Sequence, residues 1–155
     1  MLSKQDNTKE KDNALNTSQL LAESLTYAGT LPLAGCALLL LMGFSGLNFH
    51  TIALAYGAVI VAFLSGIHWG LYLTVKRKPK VNLFISSNVL TLVAFAALLF
   101  MPQTIAYLLL ILCFLGLLAL DGQLNAAQIF PRWFYDLRRN ATVIVVLSLL
   151  ILIFV

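Results

Sequence analysis

The charged residues of this chain are confined to three stretches, residues 4–23, 76–80 and 121–139, and the runs between and after them are apolar. A membrane crossing takes about 20 mostly apolar residues, because the hydrocarbon layer is roughly 30 Å thick and a helix rises 1.5 Å per residue. The uncharged runs are long enough for that, so the pattern predicts an integral membrane protein. Composition agrees: 61% of residues are apolar and 10% charged, against roughly 25% charged in a soluble domain. The net charge of +4 does not point to nucleic acid, since no basic stripe interleaved with aromatics occurs on a soluble face. Basic residues beside membrane spans follow instead from the way helices orient on insertion.

The fold expected is an all-α membrane protein, a five-helix transmembrane bundle. The spans fall at about residues 27–44, 51–75, 81–101, 104–120 and 140–155. The last is short, and counting back to Tyr135 brings it to full length, with the preceding aromatic segment in the interface. The very short connector at Pro102 and Gln103 makes the third and fourth helices an antiparallel hairpin. Residues 1–18 are polar, charge-mixed and poor in large apolar side chains, so they read as a disordered tail ahead of a membrane domain over 19–155. Ser18 is a candidate N-cap for a helix that begins before the bilayer. Pro32 lies inside the first span, where it removes a backbone donor and favours a kink.

All ten Lys and Arg residues lie in the tail, the second-to-third loop and the fourth-to-fifth loop. In a five-span chain these share one side, and the positive-inside rule makes that side cytoplasmic, with Val155 external. The expected location is the bacterial inner membrane, multi-pass.

Several motifs carry little. Leu33-Ala34-Gly35-Cys36 matches a lipoprotein cleavage box, but the apolar run continues past the cysteine, where a lipoprotein would turn polar. Asn16-Thr17-Ser18 and Asn140-Ala141-Thr142 match the glycosylation acceptor but fall on the predicted cytoplasmic side. Cys36 and Cys113 lie in mid-span and read as small packing residues without metal-ligand spacing. No phosphate loop, paired carboxylates or nucleophile elbow occurs. No metal, cofactor or catalytic residue is therefore expected, and an enzyme is the least favoured class.

Two places concentrate chemistry. On the second helix, Gly66 and Gly70 stand four apart and, with Gly57, predict a face for close helix packing. His68 lies between them at membrane depth, where an ionisable group faces protein or water rather than lipid. It either serves a site or donates to a carbonyl of a neighbouring helix. On the last loop, Trp133, Tyr135 and Arg139 suit the headgroup region as interface anchors. Asp121, at the end of the fourth span, opposes the helix dipole and calls for a cationic partner, either Arg138 or His68. His68, Trp69, Asp121 and Arg138 form the candidate polar site.

The stretches Tyr56-Gly57-Ala58 and Gly66-Ile67-His68-Trp69-Gly70, with Asp121 and Pro131-Arg132-Trp133-Phe134-Tyr135-Asp136-Leu137-Arg138, resemble the transmembrane protein 69-like family. Gly29 and Pro32 fit its first helix. The resemblance implies a small multi-span protein of bacterial or mitochondrial inner membranes. It also implies a basic residue at position 68, often a Gly where this chain has Ser65, and a Tyr where it has Phe134. It implies no reaction.

Two functions follow. The first is a non-enzymatic partner or assembly factor that docks another membrane protein through the glycine face and the aromatic-basic loop. The alternative is a binder of a small solute, lipid or quinone in a cytoplasm-facing pocket around His68. The first is favoured here, because ending the fourth span at residue 120 sets Asp121 roughly two helical turns shallower than His68.

Overall fold

The structure, a computed structural model, describes residues 2–75 and 79–155, and side chains from residue 15 onward. The expected basic loop 76–80 thus lies, for Lys76 to Lys78, outside the described residues. Five helices make up the fold: α1 Leu2–Leu41, α2 Phe49–Thr74, α3 Leu83–Phe100, α4 Gln103–Ala126 and α5 Arg132–Phe154. No strand occurs among the described residues. All five helices are long and apolar enough to cross a membrane, α1 over its part Leu15–Leu41.

Three boundaries differ from the sequence reading. Helix α1 runs through residues 2–18, and Ser18 lies inside it rather than capping it. That segment holds no Gly or Pro, so nothing in its backbone chemistry stops a helix propagating outward from the apolar part. Helix α4 continues past Asp121 to Ala126, and α5 begins at Arg132, directly after Pro131, taking in the whole aromatic-basic segment. Both sequence boundaries were drawn at charges, and those charges lie inside helices.

The stops and starts have local causes. The Asn48 side chain accepts from the Thr51 amide to open α2, and Asn82 accepts from the Phe84 amide to open α3. These are N-caps that satisfy otherwise unpaired donors. Helix α4 ends in a Schellman arrangement, with Ile129 N–H donating to Leu124 O and Gln128 N–H to Asn125 O. Gln128 holds the left-handed position at φ 56°, where glycine is more usual. Ile129 then packs beside buried Leu124, the apolar contact that accompanies this motif.

Each helix packs on its sequence neighbours, α1 closes on α5, and α2 also packs on α4. The result is a ring of five helices braced across one diagonal. Helix α4 is the most enclosed, with 50% of its span buried against 22% for α1 and α3. The α2–α4 crossing is tightest at Gly57, where a Cβ would come within 2.9 Å of the Leu110 side chain. Gly57 therefore packs as the sequence suggests.

Gly66 and Gly70 do not. Both are exposed, and a Cβ at either would meet open space. The buried face of α2 carries Val61, Leu64, Ser65 and His68. At 100° per residue, positions 66 and 70 point to the side of the helix opposite position 68. Cys36 and Cys113 are buried and free, within the core. Pro32 sits inside α1, and one turn before it the Gly29 carbonyl accepts from the Tyr56 hydroxyl at 2.8 Å. That bond ties α1 to α2 where proline disturbs the ladder.

Helices α1, α2, α4 and α5 surround a square with no brace, and a groove of about 430 Å³ lies there. Leu25 of α1 and Phe63 of α2 line it and are 71% and 65% exposed, so it opens sideways between these two helices.

Candidate functional site

His68, Asp121 and Arg138 meet in the bundle, one from each of α2, α4 and α5. His68 Nε2 lies 2.8 Å from Asp121 Oδ1, and Arg138 Nε donates to Asp121 Oδ2 at 3.0 Å. His68 and Asp121 are each 1% exposed and Arg138 is 8% exposed. Each lies about 8–9 Å inside the charged end of its own helix, at 1.5 Å per residue. The two-turn mismatch inferred from sequence is therefore absent, because it came from ending α4 at residue 120. Asp121 does not choose between its candidate partners; each oxygen takes one.

A carboxylate only accepts hydrogen bonds, so His68 carries its proton on Nε2 and donates. Its Nδ1 is buried without a partner among the described residues. The network cancels the Asp121 charge with that of Arg138, which answers the unfavourable place of a carboxylate near a helix C-terminus. Phe130 and Phe134, edge-to-face at 4.9 Å, cover the network together with Leu64 and Ile67. The space they enclose holds no room even for a water-sized sphere. No open pocket surrounds His68.

Arg138 has a second surface. It lines the sideways groove, with Thr142 one helical turn further along α5. The rest of the lining is mainly apolar, including Ile60, Phe63, Phe114 and Val145. Only Nε of Arg138 is bound to Asp121, and a guanidinium has five N–H groups. On the adjoining wall, α1, stand Thr26 and Thr30, the latter spending its hydroxyl on the Tyr27 carbonyl.

A family model for DUF3429, described as a protein of unknown function, matches residues 19–154. The chain belongs to the DUF3429 family. It is also similar to transmembrane protein 69 of Xenopus tropicalis, 34% identical over 141 residues, which is 88% of this chain and 54% of that protein. The mouse protein of the same name is 31% identical over 130 residues, 82% of this chain and 53% of the relative. The chain thus spans about half the length of the curated relatives it matches. No solved structure matches it. The DUF3429 match takes in all three residues of the charged network and every residue lining the groove.

Within this DUF3429 chain, one member of the expected polar site stands apart. Trp69 is 44% exposed and its ring packs on Phe84 at 4.6 Å, because one residue along a helix turns a side chain 100° away from His68. Of the expected anchors, Trp133 is 37% exposed, and Arg139 pairs with Asp136 at 3.2 Å. Tyr135 lies against Gly122 of α4. Sequence reasoning passed over Thr142 and the pair His50–Tyr107 at the opposite end, where His50 Nδ1 lies 3.0 Å from the hydroxyl of fully buried Tyr107. A lone threonine in a span gives no signal, since its hydroxyl normally bonds its own helix. The His50 contact crosses 57 residues, beyond any local pattern.

Proposed function

We propose that this membrane protein binds an amphiphile from the bilayer in the groove between α1, α2, α4 and α5. Its apolar tail lies among Ile60, Phe63, Phe114 and Val145, and its head meets Arg138 and Thr142. One observation carries this reading. Thr142 is 4% exposed and lines the groove beside Arg138, whose guanidinium engages Asp121 through Nε alone. A guanidinium has five N–H groups, and an ionisable group at membrane depth that faces a cavity marks a ligand path. The site is the sequence alternative moved from the dry side of His68 to the groove side of Arg138.

The test is native mass spectrometry of the protein extracted in a mild detergent. The wild type retains a small amphiphile, and Gly29→Leu loses it by filling the groove. Gly29 suits this purpose because a Cβ there approaches only the Tyr56 hydroxyl, at 4.0 Å. Equal retention by both proteins, or none by either, would remove the groove from consideration.

The docking function retains one support. Gly66 and Gly70, bare of neighbours, offer another membrane helix a close approach. In the aromatic-basic segment Phe130 and Phe134 are turned onto the charged network, while Arg132, Trp133 and Arg139 stay exposed beside it. On the positive-inside argument the charged end faces the cytoplasm and the membrane is the bacterial inner one.

A further inference from the structure

We infer that the groove takes an amphiphile whose head is uncharged and carries more than one acceptor oxygen, the chemistry of a quinone. This rests on the amphiphile reading above and adds the class of ligand. The first reason is electrical. The Arg138 guanidinium is already answered by Asp121 at 3.0 Å, so the network brings no net positive charge to the groove. A phosphate or carboxylate head would stand in an apolar wall as an unpaired buried anion, which is costly when it leaves water. An uncharged acceptor uses the remaining guanidinium N–H groups without that penalty.

The second reason is the placement of donors. On α5, Arg138 and Thr142 stand one turn apart on one wall. On α1, Thr26 stands on the adjoining wall. Donors on two adjoining walls ask for a head with more than one acceptor. Phe63 and Phe114 add aromatic faces between them, which suit a flat ring. The sideways opening lets the tail remain among the acyl chains.

The experiment uses the full chain in detergent, with decyl-ubiquinone as the uncharged probe and dodecyl phosphate as the anionic one. Binding is read by intrinsic fluorescence and by ligand-induced change in melting temperature. The quinone is expected to bind and the phosphate to bind at least tenfold more weakly. Thr142→Val, which keeps the side-chain shape, is expected to weaken the quinone about fivefold, the size of one lost hydrogen bond. Its unliganded melting curve checks that the variant is folded. Equal or tighter binding of the phosphate overturns the uncharged head but leaves the amphiphile reading standing. Quinone binding indifferent to Thr142→Val overturns the placement of the head. Binding of neither probe overturns both.

Discussion

Asp121 is the residue whose loss would be felt most, because two donors on two other helices are turned toward it. Removing one partner from a buried ion pair costs about 3–5 kcal/mol, since the remaining charge stays buried without an answer. Asp121→Ala is therefore expected to destabilise the protein by that amount, measured as unfolding in mixed micelles. His68→Leu removes one charge-assisted hydrogen bond and should cost about 1.5–3 kcal/mol. Since the two residues share a bond, the double variant should lose less than the sum of the singles, by about 0.5–3 kcal/mol. Strict additivity would show that the bond contributes nothing. Much of this site was legible in the sequence: a histidine at membrane depth and a carboxylate near a helix end both call for partners. Their meeting was not legible, because relative depth depends on where α4 stops. A charge was read as a stop when it was in fact neutralised inside the bundle. Thr142 stood out only as part of a glycosylation triplet, because its place on the groove wall depends on how α5 packs.

The helices themselves show which sequence signals survive packing. Five apolar runs became five helices, and α2 and α3 start and stop within two residues of expectation, where asparagine caps or Pro102 mark the ends. Glycine spacing was a poorer guide, since four-residue spacing places two glycines on one face without saying which way the face looks. The phase of His68 and the apolar residues around it decides that. Gly57→Leu should accordingly lower the melting temperature in detergent, because its side chain must enter the space held by Leu110. Overpacking of this kind typically costs about 1–3 kcal/mol. Gly66→Leu and Gly70→Leu should melt like the wild type, and a drop as large as that for Gly57→Leu would mean that a second chain covers this face.

At the scale of the whole molecule, the ring has a half with a diagonal contact and a half without one. Helices α2, α3 and α4 pack mutually, whereas α1 closes the circle against α2 and α5 and leaves the groove beside it. The ring and its groove could not be read from the sequence, since apolar runs fix how many helices cross but not which pairs leave a gap. The orientation expected from the basic residues can be checked directly. Alkaline phosphatase joined after Val155 should be active, while the same enzyme inserted between Lys76 and Lys80 should be silent, and the opposite pattern would invert the molecule. The three-helix charge network also has a history in time. Synthesis proceeds from the N-terminus, so α4 is made before α5, and Asp121 emerges ahead of the arginine 17 positions later that neutralises it. In that interval His68, on α2, is the partner among the described residues that is already made. The fourth helix is thus born as a poor membrane segment at its charged end and becomes a good one when the fifth arrives, so these two helices are committed to the bilayer as a pair.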